Sequence, residues 1–351
     1  MDFLIGTEKR FFDFFADMDE KDRIALISHT DLDGVASALE ISMIIGKADY
    51  LEFIDYSENM LEKIIPEIKR RKINKIIFSD IAIDRNTKGI DEIGKFERVL
   101  IIDHHKFKDD LNSENITYIK TESKVPPSYS CYYLLSKIQN LEKIDWIAAS
   151  AILADWCYDK NREFVDRIMK KYGLDGRKEC GESIKKTGLW DVSCSLSLFL
   201  IHFRYDMQKA FEIIGKTGLK NLNEIYKYSD TVKEEIDELS KTSYEKRETE
   251  NYGYYWNFSP KFKIKSYLIN KLSSEEEDKL FVFATKENNF LRISLRRQDG
   301  KIDCDDIGKK AIEGLKNASM GGHKAAAGGE IMPQDEERFR ENLRKLFAIQ
   351  K

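Results

Sequence analysis

Three short stretches carry side chains able to hold cations and move protons. They are "SHTDLDG" with His29, Asp31 and Asp33, "FSDIAID" with Asp80, and "IDHHKF" with Asp103, His104 and His105. Taken singly, each has a plain explanation: Asp31 and Asp33 beside Gly34 as turn formers, Asp80 as the cap of a following helix. Taken together, clustered carboxylates repel strongly unless cations neutralise them. Oxygen and imidazole donors without thiolate select Mn²⁺ or Mg²⁺, with zinc or cobalt as substitutes. Two such cations about 3.5 to 4 Å apart share one aspartate and leave positions for water and a phosphate. Histidine usage favours the joint reading. Of five histidines, His29, His104, His105 and His323 lie in motif-like loops, whereas His202, in "LFLIHFRYD", reads as a hydrogen-bonded helix residue.

The elements that must position these groups follow from pattern. "RIALISHTDLDG" is a short apolar run closing on a polar loop, and "VASALEISMIIGKA" has helical spacing. The unit recurs as "YLEFID" with "SENMLEKIIPEIKRRK", as "KIIFSDIAID" with "TKGIDEIGKF", and as "RVLIIDHHKF". Strands alternating with helices imply a parallel sheet whose functional residues gather at the carboxyl ends of the strands. From "SYSCYYLLSKI" to about Lys227 the chain reads as helices that complete the first domain. Residues 228–250 are nearly all polar with a thin apolar stripe, the pattern of a solvated connecting helix. Beyond them, "YGYYWNFS", "KSYLINKL", "KLFVFATKENNFLRISLRRQDG" and "GGEIMP" read as strands, with a hairpin around Glu287, Asn288 and Asn289. Helices are expected from Asp305 to Lys316 and from Glu336 to Phe347. The expected organisation is therefore α/β: an N-terminal parallel-sheet domain (1–227) with a helical insertion, a connecting helix (228–250) and a smaller α/β domain (251–351), with the active site in the cleft.

Composition limits the partners. The 351 residues include 58 basic and 62 acidic side chains, a formal charge of −4, so no overall basic field holds nucleic acid and a polyanion needs a local site. Five scattered cysteines, Cys131, Cys157, Cys180, Cys194 and Cys304, never form CxxC, which suggests reduced thiols and no zinc-thiolate site. No secretion signal and no run long enough to span a bilayer is visible, which points to a cytoplasmic protein with no membrane partner.

A second constellation lies near the C-terminus. "MGGHKAAAGG" places Gly321 and Gly322 before His323, with Gly328 and Gly329 beyond, letting backbone approach an anion closely. Arg296 and Arg297 precede it in "LRISLRRQDG", and strand alternation lets only one of them face a cleft. The aromatic residues Tyr252, Tyr254, Tyr255, Trp256 and Phe258 could stack bases, but such a strand more often supplies a core face.

At this point "SHTDLDG", "FSDIAID", "IDHHKF" and "AILADWCYD" resemble the four successive motifs of the DHH phosphoesterase superfamily, in the branch of RecJ-like exonucleases and nanoRNases. "LRISLRRQDG" and "SMGGHKAAAGGEI" resemble the strand and GGH loop of the DHH-associated C-terminal domain. The resemblance implies that His29 and Asp31 hold one metal, Asp33 and His104 the other, that Asp80 bridges them and that Asp155 completes the second site. Asp159 competes for that last role, although "ILAD" matches the family pattern better. It also implies that Asp103 orients its neighbours, that His105 faces the substrate as a donor to a phosphate oxygen or the leaving group, and that Arg296, with Arg297 as fallback, binds substrate together with Gly321, Gly322 and His323. The cofactors implied are two divalent cations, Mn²⁺ first, then Mg²⁺ or Co²⁺.

The function so implied is metal-dependent hydrolysis of single-stranded DNA or RNA, or of short oligonucleotides, from an end to give nucleoside monophosphates. A homodimer or a replication or repair partner accompanies that reading. Two other enzyme readings use the same residues: a phosphodiesterase for cyclic or linear dinucleotides, and a 3′-phosphoadenosine 5′-phosphate phosphatase. From another class comes a RecJ-like replication scaffold without catalysis, whose mark would be lost ligands; none of the ligand positions is lost here.

Overall fold

A computed structural model describes residues 1–57, 59–86, 89–175 and 183–348. The chain divides into two units, Met1–Asp230 and Thr231–Lys351.

The first unit holds a five-stranded parallel sheet of β1 (Ile24–His29), β2 (Tyr50–Ile54), β3 (Lys75–Ser79), β4 (Arg98–Asp103) and β5 (Ile116–Lys120), in the order β2-β1-β3-β4-β5. Parallel strands need both faces covered, and these are. Leu26, Ile77, Leu100, Ile102 and Ile119 pack beneath α1 (Glu8–Ala16), α2 (Leu32–Ile45) and the helical insertion. Ala25, Ile27, Ile76, Phe78, Val99 and Ile101 pack on the other face against α3 (Met60–Arg70) and α4 (Ile90–Ile93). The insertion comprises α5 (Pro127–Leu135), α6 (Asp145–Ala154), α7 (Arg162–Tyr172), α8 (Gly188–His202) and α9 (Met207–Lys216). The following helix, α10 (Asn223–Lys246), contains the division between the units.

Two sequence expectations change here. "TKGIDEIGKF" gives only the single turn of α4, because glycines stand close on both sides of it. "ITYIK", which pattern left unassigned, is the buried strand β5, and Leu4 and Ile5 bond to Lys120 along its outer edge. Cys131, Cys157 and Cys304 are buried thiols, whereas Cys180 lies outside the described residues.

The second unit is built on a six-stranded mixed sheet of β6 (Glu248–Glu250), β7 (Gly253–Asn257), β8 (Leu280–Glu287), β9 (Phe290–Arg296), β10 (Ser319–His323) and β11 (Ala326–Ile331), in the order β10-β11-β9-β8-β7-β6. The hairpin at Asn288 forms as expected, with Asn288 in the left-handed region at φ 54°. Helices α12 (Cys304–Ala311) and α13 (Glu336–Ala348) cover Val282, Ile293, Leu295 and Ala327.

"KSYLINKL" is not a strand but helix α11 (Lys265–Ser273). Its Leu268, Ile269 and Leu272 share one helical face and bury against Phe281 and Phe283. The aromatic strand is core, with Tyr252, Tyr255, Trp256 and Phe258 all buried. The glycine-rich "loop" is also a correction: β10 and β11 form a hairpin, with His323 opposite Ala326.

Candidate metal centre

Three strand ends and two helix ends deliver the acids and imidazoles. His29 closes β1, and Asp31 caps α2 by accepting from the Gly34 N–H at 3.0 Å. A Cβ on Gly34 would stand 2.4 Å from the His29 carbonyl oxygen, so the "DLDG" glycine lets the helix start press against the strand end. Serine hydroxyls tie the same corner: Ser28 donates to the Gly34 carbonyl at 2.7 Å, and Ser79 donates to Ser37 at 2.7 Å. Asp33, in the first turn of α2, accepts from the Ser128 N–H at 2.8 Å.

Asp80 follows β3 at φ 58°, a left-handed conformation that costs an L residue about 1–2 kcal/mol. Its N–H bonds the Ile102 carbonyl at 2.9 Å, which aims its side chain between the neighbouring strand ends. Asp155 terminates α6.

These residues meet in three overlapping groups: His29 with Asp31 and Asp80; Asp33 with His104 and Asp155; and Asp80 with His104 and His105. Within each group one atom per residue lies within 4.8 Å of the others. His29 Nδ1 is 2.9 Å from Asp31 and 3.5 Å from Asp80, while His104 Nε2 is 3.6 Å from Asp80 and 3.7 Å from Asp155. Asp159 is exposed and pairs with Arg162, and His202 packs on Phe203 and Tyr228 outside the cluster.

Electrostatics shows what the cluster lacks. Burial, then the Asp31 and Asp33 charges, push Asp80 well above the usual carboxylate range. Burial, then Asp155 and Asp31, do the same to Asp33, and burial with Asp31 raises Asp155 to about 6. Desolvation opposes the charge of Asp31, yet His29 holds it below its usual range. Desolvation likewise opposes the imidazolium of His29, but Asp31 and Asp80 raise it to about 11. Burial and the nearby His105 lower His104 to about 4, leaving a neutral ring with a lone pair to give.

Asp33 Oδ2, Asp80 Oδ1 and His104 Nδ1 are shielded from solvent without a hydrogen-bond partner. Such orphaned groups cost about 1–3 kcal/mol each. Cations satisfy such oxygens directly, and the acidic and histidine groups could hold a metal.

Asp103 differs from the other carboxylates because it is already neutralised. Wholly buried Lys120 donates to it from β5, and His105 Nδ1 lies 2.8 Å away. Burial would raise this carboxyl, but His105 and Lys120 hold it well below the usual range. Lys120 is a residue that sequence reasoning missed, since nothing in "ITYIK" marks its pairing.

Asp55 was also missed, although "YLEFID" ends in an acid at a strand end like the others. It accepts from Thr30 at 2.8 Å and from Arg204, and lies 3.8 Å from His29 Nε2. A cavity of about 200 Å³ beside the cluster is lined by Asp31, Asp33, Asp155, Leu200, Ile201 and Arg204, among others.

In the second unit, β-register places His323, Ala326 and Arg296 side by side on one sheet face, with Gly321, Gly328 and Ser294 two residues along. A Cβ on Gly321 would meet nothing within 4 Å, whereas one on Gly322 would stand 2.3 Å from the Ala326 carbonyl oxygen. Gly322 therefore permits strand approach, and Gly321 leaves an open trough. Arg296 Nε is shielded without a partner, while Arg297 is bidentate to Asp299 at 2.8 Å.

The DHH family, N-terminal domain, matches residues 23–172, and the DHHA1 domain matches residues 254–348. The chain belongs to the DHH superfamily. A search of curated proteins finds no match to it. Among solved structures, exonuclease RecJ bound to manganese is similar over 98% of this chain and 95% of its own, with a TM-score of 0.70 and 14% identity. CDC45 from Entamoeba histolytica aligns with 97% of this chain and 98% of its own, at a TM-score of 0.55 and 11% identity. The pGpG-specific phosphodiesterase PggH from Vibrio cholerae aligns with 93% and 99%, at 0.52 and 10%. At these identities the likeness is one of fold, so this DHH protein has the RecJ-like architecture in both units. Among the described residues, no helix is long and apolar enough to cross a membrane.

Proposed function

We propose that this DHH protein is a metal-dependent phosphodiesterase that hydrolyses single-stranded DNA or RNA, or short oligonucleotides, from an end to release nucleoside monophosphates. The observation that carries the reading is the overlap of the three groups at Asp80 and His104. In this reading His29 and Asp31 hold one cation, Asp33, His104 and Asp155 hold the other, and Asp80 touches both. Two divalent cations there, Mn²⁺ above Mg²⁺ or Co²⁺, would supply an acidified water and positive charge for the phosphoryl oxygens.

The chain's own groups do the rest. Asp103, charged by virtue of Lys120, fixes the His105 ring through Nδ1. That leaves Nε2 of half-exposed His105 to donate to a phosphate oxygen or the leaving group. The Arg296 guanidinium and His323, beside the bare backbone of Gly321 and Gly322, suit a terminal phosphate. Catalysis is assigned to residues 1–227 and substrate holding to 251–351, with 228–250 joining them.

A linear dinucleotide is the second substrate reading, because the Vibrio cholerae phosphodiesterase, named for pGpG, shares the fold over nearly its whole length. The scaffold reading predicts missing ligands, and the six residues read as ligands, His29, Asp31, Asp33, Asp80, His104 and Asp155, are all present in the sequence. The test is an assay with Mn²⁺ and end-labelled DNA and RNA, from dinucleotides to long single strands, with Asp80→Ala as control. Mononucleotide release that Asp80→Ala abolishes supports the proposal; no metal-dependent release from any of them by folded protein rejects it.

A further inference from the structure

The aromatic strand of the second unit is buried, so a stacking surface must be sought elsewhere, and one aromatic residue stands out by where it sits. Trp156 follows Asp155 directly. The end of α6 is closed by two bonds, Trp156 N–H to the Leu153 carbonyl at 3.1 Å and Cys157 N–H to the Ile152 carbonyl at 2.9 Å. This pattern puts Trp156 at the position that helices ordinarily give to glycine, and its φ of 55° is the left-handed conformation that glycine adopts freely. The chain instead places its bulkiest side-chain type there and leaves it 58% exposed.

Neither local conformation nor core packing calls for an indole at this point. Among the described residues, Trp190 packs on the ring edge-on at 5.3 Å between centroids and 67°. Exposed Lys185 carries its ammonium over the Trp156 ring, 4.8 Å from its centre, and 5.9 Å from that of Trp190, and Lys124 Nζ donates to the Trp156 carbonyl at 3.3 Å. A flat apolar surface, two cations and the acid cluster thus share one helix end, in a protein whose net charge is −4.

We propose that Trp156 is a stacking platform for a nucleobase of the substrate, with Lys185 and Lys124 beside it to meet the adjoining phosphate. A π-face recognises any base without reading its edge, and ammonium groups close to it suit a nucleotide better than an uncharged aromatic ligand. The inference rests on the reading of the neighbouring cluster as a phosphodiester-hydrolysing centre. It adds that the substrate is recognised through its base and not its backbone alone.

The test compares wild type, Trp156→Ala and Trp156→Phe, each loaded with Mn²⁺. Calorimetry measures binding of deoxyadenosine 5′-monophosphate and of deoxyribose 5-phosphate, which lacks the base. Kinetics follows trideoxyadenylate and its fully abasic counterpart. Loss of a stacked base is worth roughly 5- to 150-fold in affinity. Trp156→Ala should weaken binding of the base-bearing nucleotide, and raise KM for trideoxyadenylate, by a factor in that range, with Trp156→Phe between it and wild type. Deoxyribose 5-phosphate binding, abasic kcat/KM and Mn²⁺ affinity should stay within about twofold. Equal loss for base-bearing and abasic ligands, a matching fall in Mn²⁺ affinity, or no change in either ligand overturns the inference. Base-selective binding through Trp156 without hydrolysis of any oligonucleotide would reject the proposed reaction and leave the platform standing.

Discussion

The acid cluster of the first unit and the glycine hairpin of the second solve opposite problems. The cluster is crowded: buried Asp33 and Asp80 are raised well above their usual range by burial and by neighbouring carboxylates, and buried donor atoms stand without partners. The hairpin is bare: Gly321 faces open space, and the side chains proposed to hold substrate on that face are Arg296 and His323. One region therefore carries repulsion that a cation would relieve. The other, in the proposed reading, works by leaving room.

The largest effect should come from breaking the crowded side. Asp80→Ala removes the carboxylate common to two of the three groups, and turnover should fall at least about a thousandfold in a Mn²⁺ assay. A folded Asp80→Ala protein with wild-type turnover would break the comparison.

Next in size is Lys120→Met, which leaves Asp103 buried without its cation. Breaking one half of a buried pair costs about 3–5 kcal/mol. Denaturant unfolding should show a loss of that order, and His105 should lose its orientation, lowering kcat more than KM.

The hairpin separates cleanly into two glycines. Gly322→Ala puts a Cβ against the Ala326 carbonyl oxygen and should destabilise the protein by about 1–3 kcal/mol. Gly321→Ala points into open space and should change stability by less than about 0.5 kcal/mol while raising KM. Equal thermal shifts for the two variants would contradict the open trough.

The smallest effect is a pH dependence of the metal-free protein. Asp155 has a folded pKa of about 6, above the unfolded carboxyl value. Its stabilising contribution is therefore complete below about pH 4 and lost as pH rises through 6. In chelator, wild type should lose a few degrees of melting temperature relative to Asp155→Asn between pH 4 and 7, and Mn²⁺ should abolish the difference.

Much of the cluster was legible because it obeys one topological rule: in a parallel sheet, residues just after strands meet at one edge. His29, Asp31, Asp33, Asp80, Asp103, His104 and His105 all follow or end apolar runs, so their convergence could be read without coordinates. Lys120 could not, because a lysine in "ITYIK" reads as exposed until the register Asp103 to Lys120 is known. Strand β10 was hidden by composition, since paired glycines carry no strand signal and only their pairing with β11 makes "SMGGH" extended. "KSYLINKL" failed for the opposite reason: its aromatic and branched residues suit a strand, but packing on Phe281 and Phe283 decides for a helix. Trp156 was passed over because an exposed aromatic after a helix end has no periodicity to betray it.

The central claim, that the chain's acids and imidazoles form a two-cation centre around Asp80, is tested most directly by anomalous diffraction from crystals grown with Mn²⁺. The account predicts two peaks about 3.5 to 4 Å apart, one against His29 and Asp31 and one against Asp33, His104 and Asp155, with Asp80 touching both. A single peak, or Mn²⁺ bound away from these residues with the cluster left unliganded, would contradict it.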